Sequence, residues 1–574
     1  MFKYFLLISC ICLFFKGFSQ ENIWKKRQEI EKSLVLTQNQ PFVPMLDLDQ
    51  KQIGLINLTN QNMAEFERTC KDYAMIQRLD LENNSGIKKC NVLIICILEN
   101  DLFEKNTKLL QKLNQNKELI FVKFTNSIPA QSWIKSIISV KNSDSDSQNL
   151  AAQMIFGGLG YQNQPAIRLK YTVPEELNIK AEKLKIVDSL ANVVINIQAA
   201  PSCQIMAIKN GKVFYRKSFG FQTYDSLIPA TIDDVYDLAS LTKVTAALPA
   251  LMKLCSDKKL DIDKNIGFYL KSLRNSNKYL LKIRDLLTHQ AKLKAWIPFW
   301  KQTLDSLGNW KNDFLRTEKK WRFKKQIANH LFIKTNFYKK ILQQIKDSEL
   351  LNEKKYVYSD LSFYWYPFLV EKLEKRSFEK YLQTEFYRPL GANFLGFNPL
   401  QNKNIDFKQI IPTENDSLFR KQLIHGFVHD EGAALMGGIS GHAGLFGSSN
   451  DLAKLLEMYL KKGKYGKKTY IKEGIFEQFT TCQFCPENRR ALGFDRPQEP
   501  QTINGNTALN ASKTSFGHTG FTGNMIWVDP EKEFIYIFLS NRVYPKRTQE
   551  KLYQLNLRTK VQQAFYDALK DLVN

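Results

Sequence analysis

The chain has 574 residues, 44% hydrophobic and 12% aromatic, and its 82 lysines and arginines against 57 acids give a net charge of +25. That length and apolar content exclude a disordered chain and a single small domain, and two globular units are the natural division. The charge raises nucleic-acid binding, but the lysines are interleaved with acids through both halves and neither a basic recognition helix nor a base-stacking aromatic signature appears, so a solvated basic surface without a nucleic-acid partner is expected.

In chain order, "MFKYFLLISCICLFFKGFSQ" places Lys3 before an apolar stretch from Tyr4 to Phe15, with small residues before Gln20. This is the pattern of a secretory leader, residues 1–19, cut near Ser19 and delivering the protein to a periplasm or the cell exterior. "LISC" ending at Cys10 is similar to a lipoprotein box, yet cleavage there would leave about half of the roughly 7 to 15 apolar residues of a signal core, so anchoring at Cys10 is the weaker reading. No later run approaches the roughly 20 apolar residues of a membrane span, and none is expected. Seven of the nine cysteines follow the leader. The pair Cys482 and Cys485 in "CQFC" has no second pair or suitably spaced histidine, so packed thiols or a local disulfide are expected and no metal is assigned.

From Lys51 to about Gly160, "QIGLINL", "NVLIICIL", "ELIFVKF" and "SIISVKN" predict buried strands, and stretches near 61–78, 102–115 and 146–156 predict helices. The alternation implies a three-layer α/β domain with a mostly parallel sheet, over residues 21–175. "GGLG" at 157–160 follows a helix, the wrong context for a phosphate loop, and no nucleotide cofactor is expected. A proline-bearing connector, "YTVPEELNIK", leads to a second domain over 180–574. There two alternating strands flank "KNGK", a hairpin signal, and "NMIWVDP" and "EFIYIFLSNR" precede a closing helix from about Gln549 to Leu572. Strands at both ends of a helical middle predict one antiparallel sheet packed against helices.

Within that middle, "YDLASLTKVTAAL" sets Ser240 three residues before Lys243 at the start of an apolar stripe of Leu241, Val244, Leu248 and Leu251. On a helix this spacing brings amine and hydroxyl together, and a buried lysine favours its neutral, basic form, which a serine nucleophile needs. Pro249 predicts a kink or early end of the helix. The spacing alone decides nothing, since four other Ser-x-x-Lys pairs occur in the chain.

Ser240-Leu241-Thr242-Lys243, then Tyr358-Ser359-Asp360, then His518-Thr519-Gly520, in this order, resemble the three motifs of the serine β-lactamase and penicillin-binding-protein family, in its class C, carboxypeptidase and esterase branch. The resemblance covers nearly all of 180–574. It implies Ser240 as nucleophile, Lys243 and Tyr358 sharing general-base duty, Asp360, His518, Thr519 and Gly520 lining the substrate site, and the backbone amides of Ser240 and Phe521 as oxyanion hole. Asp360 stands where the family usually has asparagine and offers no amide donor, so a helix-capping role is expected for it. His518 stands where lysine is usual; with an ordinary pKa of about 6.5 it would lose its charge above neutrality and give carboxylate substrates an alkaline limb. His289 and His442 read as structural.

"AAQMIFGGLGYQNQPAIRL" resembles the end of the C-terminal α/β domain of family 3 glycoside hydrolases, without room for their catalytic barrel and without a "KHFPGHG"-like loop. The resemblances together imply an exported serine hydrolase acting through an acyl-enzyme on a peptide, amide or ester related to the cell wall, with no cofactor. A glycan-binding or scaffolding protein of reduced activity is the alternative, and a glycosidase reading rests on the first domain's resemblance alone.

Overall fold

The computed structural model describes residues 23–37, 42–125, 132–161 and 164–570. The expected leader, with Cys10 and Ser19, lies outside them. The first sheet has six strands in the order Val35–Thr37, Ile137–Ser139, Glu118–Lys123, Val92–Ile97, Ile53–Leu58 and Ile76–Leu79. All neighbours are parallel except the first pair. "NVLIICIL" lacks alternation because both of its faces are covered: Val92, Ile94 and Cys96 enter one core, Leu93, Ile95 and Ile97 another. The helix expected over 61–78 ends at Tyr73, and Ile76–Leu79 is an edge strand. Gln77 and Arg78 are exposed there, so no apolar run announced it.

The second large sheet runs Phe516–Thr519, Met525–Asp529, Phe534–Ser540, Ser202–Lys209, Lys212–Gly220 and Lys170–Tyr171. Its first five strands are antiparallel. The "KNGK" turn forms with Asn210 and Gly211 both at positive φ, 54° and 73°, the geometry a two-residue hairpin of this hand demands. Alternate residues sort by face: Ile205, Ala207, Trp527 and Tyr536 pack under helices Lys185–Asn196 and Leu557–Leu569, while Met206, Ile208, Ile526 and Ile537 face the central helices. The closing helix is broken at Asn556, φ 49°, into Lys551–Gln554 and Leu557–Leu569.

The connector does more than link the sheets, because Lys170–Tyr171 pairs parallel with Lys212 and Val213 and so adds a short edge strand to the second sheet. Across the same junction Arg216 holds Asp72 at 2.6 Å, Asn450 Nδ2 donates to the Asp72 carbonyl at 3.0 Å, and Tyr171 Oη donates to Asn450. Cys482 and Cys485 form a disulfide. Among the described residues no helix is long and apolar enough to cross a membrane.

Candidate active site

Ser240 directly precedes the first helical residue, Leu241, and its approach is strained, with Ala239 at φ 45°. Asp237 holds that turn. Its carboxylate accepts the amides of Ala239 (2.8 Å) and His429 (2.6 Å), and its carbonyl accepts Thr522 Oγ1 (2.9 Å) and Asn524 Nδ2 (2.8 Å). The Ser240 turn is thereby pinned to the loop after the third motif. The helix beyond it does not stop at Pro249, so the early end among the sequence expectations does not occur. Lys243–Ala247 form a wide turn with i to i+5 bonding, and the helix continues over Leu248–Ser256. The Thr245 carbonyl, which Pro249 cannot serve, accepts Tyr387 Oη at 2.9 Å, and the Val244 carbonyl accepts Tyr459 Oη at 2.6 Å.

Lys243 is fully buried, and three acceptors surround its Nζ: Ser240 Oγ at 2.9 Å, the His442 carbonyl at 3.2 Å and Asp360 Oδ1 at 2.6 Å. They match the three protons of an ammonium. Burial pushes the amine toward neutrality, but Asp360 and then Tyr358 outweigh it and hold its pKa above the usual lysine value. The sequence expectation of a neutral lysine is thus overturned by a carboxylate from another element. Asp360 is not a cap either: it precedes the short helix Leu361–Tyr364 without capping it, and Ser359 Oγ accepts the Leu361 amide instead.

The second motif is clamped to residues 289–295. Val357 N donates to the His289 carbonyl, Ser359 N to His289 Nδ1, and Asp360 N to the Ala295 carbonyl, at 3.0, 3.1 and 3.0 Å. The His289 ring lies 4.6 Å from the Tyr358 ring, and Tyr358 in turn lies beneath Lys243 Nζ at 5.1 Å. His442 bridges Ser440 and Asp430 through its two ring nitrogens, both at 2.8 Å, and stacks on Tyr364. His289 holds Ser359, and His442, which also borders the cavity that holds Ser240, holds Ser440 and Asp430.

His518, on the edge strand Phe516–Thr519, is buried and neutral. Burial first, then the charges of Arg490 and Lys243, push its pKa down to about 3. Its Nδ1–H donates to the Thr519 carbonyl at 2.7 Å, and Nε2 has no partner among the described residues. The expected titration of His518 near neutrality is therefore contradicted. The fixed positive charge beside it is Arg490, which sequence reasoning missed. Arg490 is buried, its guanidinium lies 5.3 Å from the Tyr358 ring, its Nε donates to Tyr356 Oη at 3.3 Å, and its Nη1 has no partner among the described residues. "ENRRALGF" carries no spacing that singles it out; only a survey of cations upstream of the third motif could have raised it.

Ser240, Tyr358, Asp360, Arg490, His518 and Phe521 line one cavity of about 540 Å³, which Thr519 and Gly520 also border. Lys243 lies behind Ser240 in its wall. Gly520 is required by close approach, since a Cβ there would stand 2.8 Å from the Leu238 carbonyl oxygen. The amides of Ser240 and Phe521 donate to no other group among the described residues. The arrangement offers a hydroxyl with an adjacent amine, a phenol, a fixed cation and two unused backbone donors.

This geometry agrees with the comparisons. The beta-lactamase family model matches residues 190–559. The chain belongs to the beta-lactamase family. It is a serine hydrolase of that group. An Escherichia coli (strain K12) protein, provisionally named a D-alanyl-D-alanine carboxypeptidase, is 30% identical over 401 residues, covering 64% of this chain and 84% of the relative. A Salmonella typhimurium (strain LT2) protein of the same provisional name is 29% identical over 402 residues, covering 64% and 85%. Two solved structures share the fold at 16% identity and a TM-score of 0.50: EstCE1, a hydrolase with promiscuous acyltransferase activity, covering 67% of this chain and 99% of its own, and a class C beta-lactamase, covering 68% and 97%. The family match begins after the first sheet, so the likeness of that part to family 3 glycoside hydrolases rests on its sequence alone.

Proposed function

We propose that the protein is an exported hydrolase in which Ser240 is acylated by a peptide, amide or ester whose leaving side carries a free carboxylate, as in cell-wall peptides ending in D-alanyl-D-alanine. The observation that carries this reading is Arg490, a buried cation in the wall of the cavity that holds Ser240, 3.6 Å from Asp495 through Nε and with no partner for its Nη1 among the described residues. The provisional name of the relatives points to the same substrate class.

In this reading Lys243 must lose a proton before it can take one from Ser240 Oγ, and Tyr358, packed between Lys243 and Arg490, shares the base role and relays the proton to the leaving group. The Ser240 and Phe521 amides receive the oxygen charge of the tetrahedral intermediate. His518 and Thr519 shape the wall facing the substrate, and water completes the cycle by deacylation. Export rests on the leader pattern. The first domain, among whose described residues no barrel holds two carboxyl groups about a glycosidic bond, serves in this reading as a binding or supporting unit.

Covalent labelling tests the proposal. A fluorescent penicillin or a fluorophosphonate should modify Ser240 in the purified protein, and Ser240→Ala should abolish the adduct. Modification of another serine, or no adduct with either reagent by intact-protein mass spectrometry, would overturn the assignment.

A further inference from the structure

Between the second-motif clamp and helix Tyr338–Asp347 the chain makes a basic excursion with its own small sheet, Leu315–Arg316, Leu331–Ile333 and Lys325–Ala328. Two tight turns in it hold large apolar side chains out in water. In the first, Leu304 pairs with Trp310, Gly308 adopts φ 77°, and Leu307 is 85% exposed, the highest value among the large apolar side chains described. In the second, Lys320 and Phe323 exchange backbone bonds of 2.8 and 3.3 Å and leave Trp321 and Arg322 as a two-residue tip, Trp321 being 74% exposed. The two turns are neighbours, because Asn309, Trp310, Arg316 and Lys320 line one cleft between them.

The surroundings of the tips are strongly positive. Residues 301–325 contain eight lysines and arginines against three acids. Of those acids, Asp305 spends its carboxylate on the amides of Leu307 and Asn309, at 2.9 and 2.8 Å, and Glu318 lies 3.7 Å from Lys320. Lys319, Arg322 and Lys324 are exposed, and the Arg322 guanidinium lies 4.3 Å from the Trp321 ring.

A single exposed leucine needs no explanation, but an aliphatic and an indole side chain on neighbouring turns of a segment rich in cations have a common use. A polyanionic glycan would employ the cations and could stack on the indole, yet it offers nothing to Leu307, whose only gain is in leaving water. A bilayer interface satisfies all three: apolar tips among the headgroups and upper chains, indole at the polar boundary, and lysines and arginines against anionic headgroups. We propose that this face docks the protein on an anionic phospholipid membrane, with Leu307 and Trp321 entering the interface.

The test is co-sedimentation of the purified protein with vesicles of phosphatidylcholine alone and of phosphatidylcholine mixed with phosphatidylglycerol, with soluble dextran sulfate as the competing polyanion. The expected result is binding to the mixed vesicles, weakened by salt, and a fall of at least about tenfold in partition for Leu307→Ser/Trp321→Ser, with hydrolysis of a soluble aryl ester unchanged. Lys319→Glu/Lys320→Glu/Lys324→Glu should separately remove the preference for the anionic lipid. Equal binding to neutral vesicles, undiminished binding by the double variant, or binding to dextran sulfate without binding to either vesicle would overturn the proposal, the last in favour of a glycan surface.

Discussion

Replacing Asp360 by asparagine isolates the proton on Lys243. At 2.6 Å, Coulomb's law with an effective dielectric of about 20 gives an attraction of about 6 kcal/mol, a ceiling because the Asp360 side chain is about a quarter exposed. An opposite charge this close typically moves a pKa by about 1 to 3 units, or roughly 1.4 to 4 kcal/mol. Asparagine removes that attraction and leaves the burial that favours a neutral amine, so the Lys243 pKa must fall. Activity that needs the free amine appears as pH rises through that value, so the acid limb of kcat/KM should move down by about 1 to 3 units in Asp360→Asn. At neutral pH, where the wild-type amine is almost wholly charged, the gain should approach about tenfold per unit. The assay is hydrolysis of a neutral aryl ester against pH, with rates of active-site labelling to show that the change lies in acylation. An acid limb that stays in place, or an alkaline limb that moves down instead, would refute the argument and make the ammonium, not the amine, the working form of Lys243.

Arg490→Gln should lower kcat/KM for an acyl-D-alanyl-D-alanine peptide by about 10- to 150-fold, the worth of a charged hydrogen bond, while leaving a neutral ester largely unaffected; equal losses on both would remove Arg490 from substrate recognition. Since His518 stays neutral down to about pH 3, the ratio of peptide to ester activity should be flat from pH 5 to 8, without an alkaline limb from this residue. The fold disfavours its charge, so the unfolded chain takes up the proton first: the associated stability is complete above about pH 6.5 and is lost as pH falls from there toward 3. The urea midpoint should therefore drop less between neutral pH and about 4.5 in His518→Gln than in wild type, with His289, shifted in the same direction, retaining the rest. Gly520→Ala sets a Cβ 2.8 Å from the Leu238 carbonyl and must push the third motif away from Ser240, so kcat should fall by about 100-fold with the fold retained by circular dichroism.

The elements that carry the site were legible because each has a local cause. Apolar periodicity marks the helix that begins beside Ser240, the Asn-Gly turn marks the hairpin, and the strands "NMIWVDP" and "EFIYIFLSNR" mark the sheet whose edge bears His518. The proton on Lys243 was not legible, because it depends on Asp360 arriving from another element at 2.6 Å. The same holds for Arg490: its placement under Tyr358 and beside His518 is a product of tertiary packing, and the burial that neutralises His518 comes with it. The helix passes Pro249 without ending for a related reason, since the Thr245 carbonyl that the proline cannot serve accepts the Tyr387 hydroxyl from a distant helix. Asp237, which fastens the Ser240 turn to the third-motif loop, carries no motif at all.

The short strand Lys170–Tyr171 has a practical bearing on any attempt to work with the hydrolase half alone. A polypeptide begun at residue 180 would uncover the Lys212–Val213 end of strand Lys212–Gly220 and leave Arg216 without Asp72. An uncovered strand end recruits another copy of itself, so the shortened protein should self-associate through it, whereas one begun at residue 165 keeps the two residues that cover this end while also lacking Asp72.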